Sequence, residues 1–345
     1  MRILYGVTGE GMGHATRSRV ILEHLLSCGH RVQVVVSGRA HKFLTDRFAG
    51  RPNIAFHEIH GLHLDYTGNK LDVPGSVLSN LVEFPKGLFK NVGVYFRMDF
   101  EPQAVISDFE SWAYLYGVNH FLPILSIDNM QVIDRCSHGP EVEASADFDL
   151  ARAAVLSKLP GCRHYLITTF FHPPVAKERT TLVPPILRPE ILAARREPGA
   201  HVTVYQTAKS NSALVPLLRS MPYEFRVYGM GREGEEGNVR LRAFSEKGFI
   251  DDLRTARAVL AGGGFSLMSE CVNLRIPMYS VPLEKQFEQE LNARYLAALG
   301  YGAWARHWQR EPVERFLAEA PPFTSYVPKD NSETFAALDE LLAAL

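Results

Sequence analysis

The feature that most constrains the fold of this chain is a short apolar run that leads through a glycine-rich loop into a helix. Arg2–Val7 is a mostly apolar run, which is typical of a parallel strand that is buried on both faces. After the loop at 9–13, residues 15–28 place their apolar side chains at helical spacing. Residues 32–36 form a second apolar run. This strand–helix–strand unit predicts a parallel sheet with a right-handed crossover.

The same alternation continues along the chain and restarts after a proline-rich stretch that contains Pro184, Pro185, Pro189 and Pro198. The sequence therefore predicts an α/β protein with two doubly wound, Rossmann-like domains that face a cleft. Ligands in such sheets meet the carboxyl ends of the strands. The predicted boundaries are 1–184 for the first domain, 185–199 for a hinge, 200–330 for the second domain and 331–345 for a C-terminal helix with the option of packing back on the first domain.

Composition limits the classes of function. The 37 basic and 38 acidic residues leave a net charge of −1, without the positive excess of a protein that binds nucleic acid. The four cysteines form no Cys-x-x-Cys pair, which argues against a disulfide scaffold or a zinc cluster and favours a reducing cytoplasm. We find no signal-peptide pattern and no run of 18 apolar residues. We therefore expect a cytoplasmic protein without a spanning helix.

The first glycine loop carries a candidate catalytic base. It reads GEGMGHATRS over 9–18 and places His14 in the first turn of the helix, where a neutral imidazole can accept a proton from a hydroxyl. Asp108 ends a later strand and is placed to hold Nδ1–H of His14, as the acid of a catalytic triad does. In the alternative interpretation His14 only packs or caps, and Asp108 caps the next helix. Glu10 and Glu110 are weaker candidates for the base.

Two other functions fit this region less well. A dinucleotide site requires Gly-x-Gly-x-x-Gly and an acid at the tip of the second strand. Here the spacing is Gly-x-Gly-x-Gly, and the tip carries Arg39 in place of an acid. Among dinucleotides, Arg39 would suit only the 2′-phosphate of NADP. The acid-x-acid pairs at 99–101 and 108–110 have a spacing that suits Mg²⁺ or Mn²⁺. Neither pair lies in the second domain, where we place the nucleotide, so we expect no metal in the active site.

The second glycine loop has the properties of a nucleotide site. Gly263, Gly264 and the helix start at Phe265 and Ser266 present backbone N–H groups and the positive end of a helix dipole to a diphosphate. One turn later, Glu270 is placed to accept both hydroxyls of a ribose, although a solvated helix residue is the alternative interpretation.

The flanking segments complete this candidate site in order along the chain. Ile250, interpreted as a residue with free backbone groups at a strand end, is placed to pair with a base edge. Glu288 and Gln289 offer donors and acceptors to sugar hydroxyls. Together these pieces indicate a site for a ribonucleotide sugar.

With these motifs, the chain resembles the GT-B-fold glycosyltransferases that use nucleotide sugars. It is similar to the N-acetylglucosaminyltransferase that forms lipid II and to the UDP-glucuronosyl/glucosyltransferase families. The motifs that carry the resemblance are the Phe-Ile-Asp-Asp segment at 249–252, the Gly-x-x-Ser-x-x-x-Glu stretch at 263–270, the Gln-x-x-Asn ending at 289–292 and the Gly-His-Ala-Thr-Arg loop at 13–17.

The resemblance implies roles for individual residues. The residue matching Ile250 meets uracil through its backbone, the one matching Glu270 holds the ribose and the one matching Gln289 touches the donor sugar. Gly11, Gly13 and Arg17 belong to the acceptor-side loop. The pair formed by His14 and Asp108 resembles the His–Asp pair of plant-type glucosyltransferases.

The resulting expectation is an inverting, metal-independent glycosyltransferase that moves a hexose from a UDP-sugar to a small-molecule or lipid acceptor without a cofactor. The alternatives are a UDP-sugar 2-epimerase of the same fold and a non-catalytic sugar-nucleotide-binding protein. The His-Cys-Gly-Trp core of the plant signature is absent, and Glu288 stands where relatives have Asp or Gln. Residues 78–100 are basic and rich in aromatic side chains, which fits a peripheral membrane contact, a core helix or an acceptor-pocket wall.

Overall fold

The computed structural model describes residues 1–9, 11–61, 65–67, 70–72, 86–206, 212–243, 245–319 and 322–345, with backbone only for 65–67 and 70–72. The chain divides into two compact units. The first comprises Met1–Leu64, Val73–Arg188 and Asp330–Leu345, and the second comprises Asp65–Asp72 and Pro189–Lys329. The predicted hinge at 185–199 is thus divided after Arg188, and the C-terminal helix is counted with the first unit.

The first unit is built on a parallel sheet whose described strands have the order β3-β2-β1-β6-β7-β8-β9. A separate antiparallel hairpin pairs β4 with β5. Up to residue 188, the elements are β1 (Arg2–Val7), α1 (Met12–Ser27), β2 (Arg31–Val36), α2 (Gly38–Arg47), β3 (Ile54–Glu58), β4 (Asp65–Thr67), β5 (Lys70–Asp72), α3 (86–97), β6 (Ala104–Asp108), α4 (Ser111–Asn119), β7 (Ile124–Asp128), α5 (Val132–Arg135), α6 (Pro140–Glu143), α7 (Ala146–Lys158), β8 (His164–Thr168) and β9 (Thr180–Val183).

The second unit repeats the architecture, with the strand order β12-β13-β11-β10-β14-β15-β16 and only β12 antiparallel among its described strands. From residue 189 on, the elements are α8 (Pro189–Leu192), β10 (Val202–Tyr205), α9 (Leu214–Arg219), β11 (Phe225–Tyr228), β12 (Gly234–Glu236), β13 (Val239–Arg242), α10 (Glu246–Thr255), β14 (Ala258–Ala261), α11 (Phe265–Asn273), β15 (Met278–Ser280), α12 (Phe287–Ala298), β16 (Gly302–Trp304), α13 (Arg310–Glu319) and α14 (Ser332–Ala343).

The prediction of two doubly wound, Rossmann-like α/β units is confirmed. Each sheet buries its apolar strands beneath helices, as the continuous apolar runs predict. In the first unit, α14 contributes Leu338 and Leu342 to the same core as α1 and β1.

Strand order brings the ends of the central strands of the first unit together. β1 pairs with β2 on one side and with β6 on the other, so that Val7 lies opposite Val36 and Asp108. The loop that leaves β1 therefore passes directly beside Asp108.

Within the described residues, no helix has the length and apolar character needed to cross a membrane. The segment at 78–100 is described from residue 86 onward, where 86–97 is helical. Its first part, 78–85, lies outside the described residues.

Candidate functional site

His14 and Asp108 meet at the carboxyl edge of the first sheet. Gly11 occupies the N-cap of α1 with a φ of 81°, a conformation that favours glycine, and turns the chain into the helix. A Cβ atom at Gly9 would collide with Ser37, so the loop packs closely against the end of β2. His14 Nδ1 then lies 2.8 Å from Asp108 Oδ1. The carboxylate is fully buried, whereas the imidazole is 18% exposed.

The Asp108 carboxylate is held by two further side chains of α1. Arg17 donates from Nε to Oδ2 at 3.1 Å and from Nη2 to Oδ1 at 2.5 Å, and Ser18 donates from Oγ to Oδ2 at 3.0 Å. Arg17 also donates from Nη1 to Asn129 Oδ1 at 2.8 Å. Because positions i, i+3 and i+4 share one helix face, His14, Arg17 and Ser18 all reach the same carboxylate.

These contacts keep Asp108 ionised. Burial alone would raise its pKa, but the Arg17 guanidinium and His14 outweigh burial and lower the pKa of Asp108 to about 2. Arg17 Nη2 also lies 3.0 Å from His14 Nδ1. Since the carboxylate can only accept, we assign the proton of His14 to Nδ1, which leaves the Nε2 lone pair available to accept a proton.

The sequence left open whether Asp108 caps the next helix. In the structure, the N-cap of α4 is Glu110. Glu110 accepts from Trp112 N at 2.8 Å and from Ala113 N at 2.7 Å, which satisfies two backbone donors at the start of α4. Burial raises the pKa of Glu110. Its carboxylate is thus committed to the cap, and the other candidate base, Glu10, lies outside the described residues.

The sequence interpretation missed how Arg17 and Asn129 are used. Arg17 was assigned to the acceptor-side loop, but its side chain is 4% exposed and its guanidinium contacts Asp108 and Asn129. The available signal was the spacing of Arg17 three residues after His14, on the face that points to the strand ends. A direct contact between Arg17 and an acceptor stays a prediction, as does one with Gly11 or Gly13.

The second glycine loop is closed by a side chain from α12. A Cβ atom at Gly263 would collide with the backbone carbonyl of Gln289. Gln289 Oε1 accepts from Gly263 N and from Leu283 N, both at 3.1 Å, and its Nε2 donates to Gln286 Oε1 at 2.6 Å. The Gln289 amide is thus committed inside the unit, and the Gly263 N–H that was predicted for a diphosphate already has a partner.

Further backbone N–H groups of this loop lie at the start of α11. Gly264 is its N-cap, is exposed and has open space around its Cα, and Phe265 and Ser266 follow in the first turn. The first N–H groups of a helix have no partner within the helix, and they lie at the positive end of its dipole. Glu270 is buried one turn after Ser266, on the same face.

Asn292 ties the α12 side of the loop together. Its Nδ2 donates to the Gly263 carbonyl at 3.0 Å and to Glu288 Oε1 at 2.6 Å. Glu288 lies in the first turn of α12, and the bond from Asn292 holds its carboxylate beside the loop. The predicted contacts of Glu288 and Gln289 with a donor sugar stay predictions.

The interpretation of Ile250 as a strand-end residue was wrong. Ile250 is an interior residue of α10, which begins at Glu246 and has Ser245 as its N-cap. Its backbone N–H falls in the intrahelical ladder, which starts with Phe249 N donating to Ser245 O at 2.8 Å. Two residues later, Asp252 is buried and accepts from the side chains of Tyr228 and Arg226 in β11.

Known proteins share this sequence pattern and architecture. Residues 1–321 match the sequence model of a family described as glycosyl transferase family 1. A Methanosarcina mazei protein described as an uncharacterized glycosyltransferase is 24% identical over 335 residues, which cover 88% of this chain and 85% of the relative.

Two solved structures share the fold. Arabidopsis thaliana UGT89C1 complexed with UDP gives a TM-score of 0.65 at 15% identity and covers 99% of this chain and 98% of its own. The glycotransferase of kitacinnamycin gives a TM-score of 0.65 at 14% identity, with coverages of 99% and 95%.

Proposed function

The chain belongs to glycosyl transferase family 1, and we propose that this GT-B glycosyltransferase is an inverting, metal-independent enzyme that transfers a hexose from a UDP-sugar to a small-molecule or lipid acceptor. The observation that carries the proposal is the buried Asp108 carboxylate that holds His14 Nδ1 at 2.8 Å. The pair lies at the carboxyl end of β6, where doubly wound sheets bind their substrates.

In the proposed reaction, His14 Nε2 takes the proton of an acceptor hydroxyl. The acceptor oxygen forms a bond to the anomeric carbon while the bond from that carbon to the diphosphate breaks, so that UDP leaves with the electron pair. This single displacement inverts the anomeric configuration. Asp108 stabilises the imidazolium that forms, because its low pKa keeps it ionised throughout.

We place the donor at the second glycine loop. The N–H groups of Gly264, Phe265 and Ser266, together with the α11 dipole, would stabilise the charge that develops on the leaving diphosphate. Glu270 would accept the two ribose hydroxyls. The likeness in fold to a structure complexed with UDP supports a uridine nucleotide. Because Asp108 and Glu110 already have protein partners, we do not assign their acid-x-acid pair to a metal.

For the acceptor, we propose a molecule with a large apolar part. The described end of the 78–100 segment exposes Phe89 and Phe96, at 79% and 80%, and carries Lys86 and Lys90. Lys90 pairs with Glu58 at 2.8 Å, which holds one end of α3 against β3. An aromatic surface beside basic side chains suits a hydrophobic acceptor or a peripheral contact with an anionic membrane.

The first experiment is calorimetric titration of the full chain with UDP and dTDP. We expect UDP to bind more tightly than dTDP, because deoxyribose lacks one of the two hydroxyls that we assign to Glu270. Glu270→Gln should remove the preference, whereas the exposed Glu319→Gln is the matched control and should retain it. Equal binding of UDP by Glu270→Gln would contradict the donor assignment.

The second experiment measures UDP release from UDP-hexoses with a panel of hydroxyl-bearing acceptors. We expect His14→Gln to lower kcat by about 10²–10⁴-fold without weakening UDP binding. His172→Gln, a change at an exposed histidine of the same unit, should retain activity. Isomerised UDP-sugar without transfer would indicate an epimerase, and binding without turnover would indicate a binding protein.

A further inference from the structure

We propose that the first unit binds a divalent transition-metal ion, with Zn²⁺ the best match, where His24, Cys28 and Asp339 meet at the C-terminal end of α1. This site is separate from the residues to which we assign glycosyl transfer. Each of the three side chains offers one ligand atom, and these atoms all lie within 4.8 Å of one another.

The distances are close to those of a coordination sphere. His24 Nε2 lies 2.9 Å from Asp339 Oδ1, and Cys28 Sγ lies 3.7 Å from His24 Nε2. A tetrahedral Zn²⁺ with bonds of about 2.0 Å to nitrogen or oxygen and about 2.3 Å to sulfur separates its ligand atoms by roughly 3.3–3.6 Å. The third pair of ligand atoms, from Cys28 and Asp339, lies within 4.8 Å. Shifts on the order of 1 Å or less, estimated from those bond lengths, would therefore admit the ion.

The fold holds the three ligands in place before any ion binds. His24 lies in the last turn of α1 and Cys28, four residues later, is its C-cap, so that the two side chains lie on the same side of the helix end. Asp339 comes from α14, whose Leu338 and Leu342 are buried in the core of the first unit. Phe335 of α14 stacks on the His24 ring, with centroids 4.0 Å apart and planes 6° apart, which fixes the orientation of the imidazole.

The start of α14 is also anchored. Asn331 donates to the Leu187 carbonyl and accepts from Leu187 N, each at 2.8 Å. Thr334 Oγ1 donates to the Pro184 carbonyl at 2.9 Å. Because both helices are fixed by contacts remote from the cluster, little ordering is required of the ligands when an ion binds.

The ligand set selects the kind of ion. One imidazole, one thiolate and one carboxylate suit Zn²⁺ and its neighbours in the Irving–Williams order rather than Mg²⁺ or Ca²⁺. The carbonyl end of α1 adds a negative dipole. Cys28 is exposed, whereas Cys136, Cys162 and Cys271 are buried. An open cavity that Cys28 and Asp339 line leaves room for water as a fourth ligand.

Such an ion would connect α14 to α1. Residues 24 and 339 are far apart in sequence, so coordination would tie the C-terminal helix to the helix that carries His14. An ion that binds the folded state but not the unfolded state stabilises the folded state. The thermal midpoint therefore gives a measurement of binding that does not depend on activity.

The test uses the untagged full chain, reduced and freed of metal. Zn²⁺ is titrated in competition with a chromogenic chelator, and Co²⁺ is added to record the absorption bands of a tetrahedral thiolate complex. We expect one equivalent of Zn²⁺, a thiolate-to-cobalt band, and an upward shift of the thermal midpoint with Zn²⁺. Cys28→Ser and Asp339→Asn should each weaken binding by more than about tenfold, since loss of even an outer-shell partner costs about 10–100-fold.

Matched controls separate this site from adventitious binding. His172→Gln and Asp147→Asn change exposed residues of the same unit, and both should bind Zn²⁺ as the parent chain does. Cys28→Ser should retain glycosyl transfer, because Cys28 contacts none of the residues assigned to that reaction. Equal Zn²⁺ affinity of the parent and Cys28→Ser, or a Co²⁺ spectrum without a thiolate band, would overturn the proposal.

Discussion

Replacing Arg17 by methionine isolates the electrostatic core of the candidate active site. Methionine retains much of the buried volume but removes the two bonds to Asp108. Removing one partner of a buried ion pair leaves an uncompensated charge and costs about 3–5 kcal/mol. We therefore expect Arg17→Met to lower the free energy of unfolding of the first unit by about that amount at neutral pH.

The loss of unfolding free energy in Arg17→Met should depend on pH. In the parent chain the pKa of Asp108 is about 2, below the ordinary value of 3.8. At 1.36 kcal/mol per pKa unit, ionisation of Asp108 therefore contributes about 2 kcal/mol to the free energy of unfolding above about pH 4. This contribution is lost as the pH falls toward 2. Without Arg17, the largest charge that opposes the effect of burial is lost, and we expect the pKa of Asp108 to rise. A raised pKa contributes stability at low pH that is lost as the pH rises. The deficit of the variant should therefore narrow as the pH falls from 7 to about 4.

Urea unfolding followed by tryptophan fluorescence measures this deficit. Of the three tryptophans, Trp112 lies in α4 of the first unit, so a background with Trp304 and Trp308 changed to Phe reports on that unit. The exposed Arg39→Met is the matched control and should change stability by less than about 0.5 kcal/mol. Adding Asp108→Asn to Arg17→Met should recover part of the loss. A deficit that is absent, or that stays constant with pH, would refute the reasoning.

Two further predictions concern the N-cap of α4 and the second glycine loop. Glu110→Ala should cost about 1–2 kcal/mol of unfolding free energy by removing the cap of α4, as measured by urea unfolding, whereas Glu101→Ala, at a side chain that is 96% exposed, should be nearly neutral. Gly263→Ala should weaken UDP binding measured by calorimetry, because its Cβ collides with the Gln289 carbonyl; Gly264→Ala, with open space and an ordinary φ of −63°, should have a much smaller effect. Equal effects of the two glycine changes would contradict the loop geometry.

Much of the architecture could be predicted because buried parallel strands appear in the sequence as short apolar runs. β1, β6 and β14 are such runs, and each is followed by a residue or loop that we singled out. β3 and β9 were not predicted, because most of their residues are partly buried or exposed and mix polar with apolar side chains. A strand with one open face and so few residues lacks the pattern that identifies a strand.

Contacts between distant segments were less predictable. The bond between Gly263 N and Gln289 spans 26 residues and exists only because α12 docks on the loop. From the sequence, a glycine amide and a glutamine at a predicted site both look available to a ligand. Once folded, they satisfy each other, since a buried N–H must find a partner. The proposed diphosphate contacts therefore move to the later backbone groups, at Gly264 to Ser266.

A similar tertiary effect distinguishes the two acids at the end of β6, Asp108 and Glu110. Asp108 has a residue type that N-caps prefer, whereas Glu110 has the position immediately before Ser111, where α4 begins. Arg17, which comes from another helix, pairs with Asp108 and lowers the pKa of its carboxyl group. With Asp108 held in the ion pair, Glu110 caps α4. A local motif thus pointed to both acids at the end of β6, but only the tertiary partner Arg17 shows which carboxylate is held ionised beside His14.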